Sequence, residues 1–200
     1  MSLRVLARAS ALAALTIATT SAQAHMGQGA HGLMDGLSHP FGADHLLAMV
    51  AVGLWSVTAL PARRVWQGPA TFLGAMIFGA VLGVAGWAPP YMEHAISLSV
   101  LMFGLMLVLA QSGLPQPIGL GLVAVAATLH GLAHGVEAYP TGLATYGGGF
   151  LFTTAMLHGG GMALGLAIRR WMTRRSAFAF GALGTAFSGA GLYLFGQLAT

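Results

Sequence analysis

Cysteine is absent from the 200-residue chain, and with it go disulfide frameworks, Cys-ligated zinc, iron–sulfur clusters and thiol nucleophiles. Lysine is absent as well, only four residues are acidic, and charged residues of all kinds make up 6%. Without lysine there is no Walker-type Gly-x4-Gly-Lys nucleotide site. No Gly-x-Ser-x-Gly elbow occurs either, so the run His158-Gly159-Gly160-Gly161 does not indicate a serine hydrolase. What fills the chain instead is apolar: 56% hydrophobic residues and a mean hydropathy of +0.79, far beyond the average of soluble domains. The sequence pI near 10.4 comes from eight arginines. Arg4 and Arg8 belong to the N-terminal segment and the other six fall in two short stretches. That pattern reports orientation in a membrane and gives no nucleic-acid surface.

The first 24 residues read as a secretory signal. A basic start is followed by an apolar run from about Ala9 to Thr19 and by Ala22-Gln23-Ala24, the small-x-small pattern of a signal peptidase site. Cleavage is expected before His25, leaving 25–200 as the mature domain; the apolar run is short for a spanning helix, and an uncleaved anchor is the alternative. The fold class expected for 25–200 is all-α, a polytopic membrane protein with six transmembrane helices at about 40–60, 69–87, 93–111, 118–137, 147–168 and 176–197. Pro40 suits a first helical position, and the remaining prolines mark the turns between spans.

With the N-terminus exported, the loops after spans one, three and five face the cytoplasm. Arg63, Arg64, Arg169, Arg170, Arg174 and Arg175 all fall in two of these, as the positive-inside rule demands. Trp66 and Trp171 then belong to the inner interfacial belt, and Trp87, Tyr91, Tyr139 and Tyr146 to the outer one. This predicts an inner-membrane protein with both mature termini periplasmic. The small-x3-small pairs Gly79/Gly83, Gly131/Gly135 and Gly161/Gly165 predict close helix–helix approach, and leave homo-oligomerisation open.

Chemistry is confined to the few polar residues. All four acids and seven of the eight histidines lie before or within the outer half of the predicted bundle, and ionisable groups in a span are costly unless paired, metal-bound or hydrated. His130, His134 and Glu137 stand at i, i+4 and i+7, placing two imidazoles and a carboxylate on one helical face. Asp44 and His45 adjoin just inside the first span, and His39, before Pro40, is expected to leave the helix and fold back towards them. Capping by Asp44 is the bland reading there, as it is for Glu93, which opens span three beside His94. His158 is expected below this cluster, on a path or in a helix contact. The α-amine and imidazole of His25, freed by cleavage, form a further candidate chelate that His31 and Asp35 would complete. Imidazoles and carboxylates without thiolates suit Ni²⁺, Co²⁺, Zn²⁺ or Fe²⁺.

The run His39-Pro40-Phe41-Gly42-Ala43-Asp44-His45-Leu46-Leu47-Ala48-Met49 and the run Leu129-His130-Gly131-Leu132-Ala133-His134-Gly135-Val136-Glu137 resemble the two signatures of the HupE/UreJ family. Together with the leader, six spans and a His-bearing fifth span, the resemblance covers nearly the whole chain. It implies a nickel permease, with cobalt as an alternative cargo, serving hydrogenase or urease maturation. It maps His39, Asp44 and His45 onto the first signature and His130, His134 and Glu137 onto the second. No resident cofactor is expected; the partners are the transported ion and the bilayer. The rival reading from the residues is a membrane-embedded zinc hydrolase that uses the same His/Asp cluster with an open water position; a third is a metal-sensing or structural subunit of a larger transporter.

Overall fold

The chain, in a computed structural model, is described for residues 32–137 and 142–198. Among the described residues every regular element is helical. A short helix α1 (Leu33–Ser38) runs into a 3-10 turn (His39–Phe41) and then α2 (Ala43–Ala59). A second 3-10 turn (Ala62–Arg64) leads to α3 (Gln67–Val84), followed by α4 (Met92–Val108), α5 (Gln116–Glu137), α6 (Leu143–Trp171) and α7 (Ser176–Gln197). Each apolar stretch read from the sequence carries one long helix. The predicted leader 1–24, with His25 and His31, lies outside the described residues.

Ala62–Val84, Gln116–Glu137, Leu143–Trp171 and Ser176–Gln197 are long and apolar enough to cross a membrane. Leu33–Phe41 and Ala43–Ala59, bent by 72° against each other, make a fifth crossing if the pair is one broken span. Met92–Val108 has 17 residues; that is about 26 Å of helical rise, short of a hydrocarbon core about 30 Å thick. Among the described residues the protein is therefore all-helical, with four or five apolar helices of spanning length and one shorter.

The break in the first span departs from the expected single helix over 40–60. Pro40 sits inside the 3-10 turn without an amide hydrogen to give, and Gly42 opens to ψ 141. Only then does α2 begin, with Leu46 N–H donating to the Gly42 carbonyl at 2.8 Å. Upstream, α1 lies across α6. Gly36 meets the Tyr146 carbonyl so closely that no Cβ fits there, and Thr153 Oγ1 donates to the Leu37 carbonyl at 2.9 Å.

Glycine pairs set the closest helix contact. Gly79 and Gly83 of α3 face the backbone of α5 at Thr128, Leu132 and Gly135, while Gly131 and Gly135 of α5 face Met76 and Ala80 of α3. A Cβ at any of the four would overlap the neighbouring main chain. Lipid supplies no hydrophobic drive for helix association, so such close packing must hold the bundle together. Between the helices Met49, Trp55, Phe72, Val100, Phe103 and Val123 form the core.

At the far end of α2, Arg169 Nη1 donates to the Val57 carbonyl at 2.8 Å. This bond satisfies a C-terminal carbonyl of α2, and Arg169 and Arg170 accordingly continue α6 to Trp171 where the sequence suggested a loop. The arginines thus gather at one end of the bundle. Tyr146 also departs from expectation: it is 4% exposed and packs in the core, whereas Trp87 and Tyr91 remain on the surface.

Candidate metal centre

The bend between α1 and α2 turns His39 back over the start of α2, at the end of the bundle opposite the arginines. Its ring lies 5.5 Å from that of His45 and 4.7 Å from that of His134, edge-on to both. His39, His45 and His134 each offer one ligand atom within 4.8 Å of the others. The helices bring in His45 from the first turn of α2 and His134 from the last turn of α5. The fold-back expected of His39 is present, although His39 stays within a 3-10 turn and the reversal falls at Gly42.

Asp44 orients this cluster from one side. Its Oδ1 accepts the His45 backbone N–H at 2.8 Å and faces His45 Nδ1 at 2.8 Å. A carboxylate accepts, so His45 Nδ1 carries the hydrogen and Nε2 presents its lone pair. That Nε2 stands 2.7 Å from His134 Nε2. Two nitrogens bound at right angles to one ion, each about 2.1 Å away, would stand about 3.0 Å apart, so this pair is nearly at ligand spacing. Carboxylate, imidazole and metal in series is the usual arrangement by which an outer partner fixes a histidine ligand's tautomer. Gly42 occupies the N-cap position of α2, and Asp44, in the first turn, satisfies the backbone N–H of His45 as well as facing its ring.

An aromatic wall closes the cluster. The Phe150 ring lies 4.2 Å from that of His134, tilted by 53°, and Tyr146 lies 6.0 Å from His39. Both His45 and His134 are buried. Glu137 and Asp35 are exposed at this end of the bundle, within electrostatic reach of Tyr146.

His130 sits one helical turn below His134 but has a different partner. Its Nε2 faces Ser99 Oγ at 2.9 Å, and Ser99 Oγ donates to the Ile96 carbonyl at 2.6 Å. The ring remains 4.9 Å from His45, so it adjoins the three-histidine group without belonging to it. Glu93 and His94 lie elsewhere: His94 stands between Tyr91 and Phe195, 5.7 and 5.5 Å from their rings. His158 is fully buried in mid-α6, with its carbonyl against Gly53 of α2 and its ring 4.8 Å from Phe72. Ser99 was not singled out from the sequence. The available signal was a hydroxyl placed in a strongly apolar helix, where it too needs a partner. Nothing local marks Phe150 or Tyr146 as lining residues.

A bundle of apolar helices enclosing a buried imidazole cluster, oriented by one carboxylate and free of thiolates, defines a polytopic, membrane-type protein with the donor set of a borderline divalent ion. Residues 13–194 match the family described as HupE / UreJ protein. The chain is 44% identical over 162 residues to Protein HupE of Rhizobium leguminosarum bv. viciae, covering 80% of this chain and 82% of that one. The chain belongs to the HupE/UreJ family. No solved structure matches it.

Proposed function

We propose that the protein is a permease that carries Ni²⁺, with Co²⁺ as the alternative cargo, from periplasm to cytoplasm for hydrogenase or urease maturation. The observation that carries this reading is the convergence of His39, His45 and His134 within 4.8 Å in an apolar bundle. In this reading the leader is removed before His25, six helices cross the inner membrane, and both mature termini are periplasmic. Met92–Val108 and its following turn make a thin crossing, accommodated by local bilayer thinning. Six arginines at one end support the orientation, because positive residues are retained on the cytoplasmic side.

The ion arrives at the histidine end. Asp35 and Glu137, exposed there, raise the local concentration of divalent cations. The three imidazoles replace part of its hydration shell, with Asp44 holding His45 in the ligating tautomer. Family membership supports the nickel assignment, as does a donor set too rich in nitrogen for Mg²⁺ or Ca²⁺.

The test is uptake of radioactive Ni²⁺ into liposomes carrying the purified full-length protein. Saturable uptake that protein-free liposomes lack is expected. Liposomes that take up no more Ni²⁺ than controls, while the same preparation hydrolyses lipid in a zinc-dependent way, would replace the permease with the hydrolase.

A further inference from the structure

One ring meets all three histidines of the metal group. Phe150, buried on α6, lies 4.2 Å from His134, 5.7 Å from His39 and 6.3 Å from His45, centre to centre. The imidazoles themselves stand 4.7 Å (His39 to His134), 4.7 Å (His45 to His134) and 5.5 Å (His39 to His45) apart. Those separations put the phenyl ring well to one side of the plane through the three imidazole centres, nearest to His134. One face of the group is thus covered by a side chain with no lone pair to give.

Phe150 is held there from both directions along its helix. Tyr146, one turn earlier, has its ring 6.0 Å from that of Phe150 and its carbonyl against Gly36 of α1. A Cβ at Gly149 would overlap the Leu33 carbonyl, and Thr153 Oγ1 donates to the Leu37 carbonyl at 2.9 Å. Positions 146, 149 and 153 of α6 are thereby docked on α1, the helix that leads into the turn carrying His39. The main chain bearing Phe150 is fixed against the main chain bearing His39.

We propose that Phe150 is a specificity-determining residue of the His39/His45/His134 group: it denies water the face that it covers, so that the bound ion holds fewer than six ligands. The role rests on the permease reading for the identity of the ion. Apolar surroundings control how much solvent reaches a metal, and among divalent ions geometry must do the selecting that affinity order does not. Mn²⁺ and Mg²⁺ call for an octahedral shell of oxygens, which beside three imidazoles has to come from water, whereas Ni²⁺ accepts square-planar or tetragonal nitrogen sites. The 2.7 Å between His45 Nε2 and His134 Nε2 is close to the spacing of ligands at right angles, as a tetragonal site requires. A tetragonal ion holds its outlying ligands weakly, so it loses least when one side is kept dry.

Full-length protein in detergent, loaded with Co²⁺, reads the ligand number directly, because the visible absorption of Co²⁺ is intense with four or five ligands and weak with six. The wild type should show the intense bands. Phe150→Ala opens the covered face to water: its Co²⁺ bands should collapse to the weak six-ligand pattern, and its preference for Ni²⁺ over Mn²⁺ in titrations should fall about 10-fold, the scale on which the surroundings of a metal act. Phe150→Leu, a milder truncation, should move both readings the same way by less, and serves if Phe150→Ala does not accumulate. A six-ligand spectrum in the wild type, or a spectrum and metal preference unchanged in the variants, would overturn this role for Phe150. That result with Ni²⁺ uptake into liposomes intact leaves the permease standing. The expected spectra from a protein whose liposomes take up no Ni²⁺ would instead keep the role of Phe150 and remove the permease reading.

Discussion

His45 Nε2 and His134 Nε2 stand 2.7 Å apart although 89 positions separate the two residues in the chain. One comes from the first turn of α2 and the other from the last turn of α5. The fold must hold these helix ends in register to a fraction of an ångström for two imidazoles to share an ion. Glycine contacts between α3 and α5 and the crossing of α2 with α6 at Gly53 fix that register.

His134→Ala should therefore separate folding from transport. Alanine is the best helix former, and the residue lies in the last turn of α5, where the main chain needs no support from the ring. Membrane levels should stay near wild type, while Ni²⁺ uptake falls to that of cells lacking the protein. Immunoblotting of membranes beside an uptake assay reads both. Uptake at the wild-type rate with normal levels would exclude His134 from the path.

Glycine substitutions should show the opposite split. Gly131→Val drives two methyl groups into the Met76 carbonyl of α3, and overpacking costs about 1–3 kcal/mol or more. Less protein should reach the membrane and its melting temperature in detergent should drop. Gly121, on the same helix, has nothing within 4 Å of the place a Cβ would take. Gly121→Ala should be neutral or stabilising by about 0.5–1 kcal/mol. Equal melting temperatures for the two variants would mean that α3 and α5 are not packed through Gly131.

The helices were largely legible in the sequence because hydropathy, proline, glycine and arginine punctuate them locally. Their ends were less so. Arg169 and Arg170 lie within α6, where Arg169 reaches the Val57 carbonyl of a distant helix, a partner that no local pattern announces. The broken first span escaped for the same reason: Pro40 looked like a first helical residue, and only the docking of Gly36 on Tyr146 explains a short helix before it. In the site, the spacing of His130 and His134 put both on one face. It could not say that Ser99 would engage His130 while His39 and His45 met His134. Glu137, one turn further, ends exposed at the rim. Periodicity assigns a face; the facing helix assigns the partner.

Orientation is open to a direct test. A periplasm-active reporter fused after Thr200 should be active, and the same reporter inserted between Arg63 and Arg64 should be silent, because the arginine end is expected to face the cytoplasm. A silent C-terminal fusion would mean that the number of crossings is odd, with Met92–Val108 the first helix to question, since among the described residues it is the apolar helix that falls short of spanning length.

Asp44→Asn isolates the role of charge. The Asn carbonyl oxygen is able to accept the same two hydrogens that Asp44 Oδ1 faces, the His45 backbone N–H and Nδ1–H, both at 2.8 Å. Shape and tautomer are retained while the negative charge goes. An anionic partner behind an imidazole strengthens the donor nitrogen on its far side, and loss of such a partner costs about 10–100-fold in metal affinity. Ni²⁺ titration of the purified variant should show that loss, with normal membrane levels and uptake at limiting metal reduced in proportion. Saturating Ni²⁺ should restore much of the uptake, because the ligating nitrogens of His39, His45 and His134 are still in place. Unchanged affinity would make Asp44 a helix-end residue with no part in metal handling, and failure of saturating metal to restore uptake would assign it to ion movement after capture.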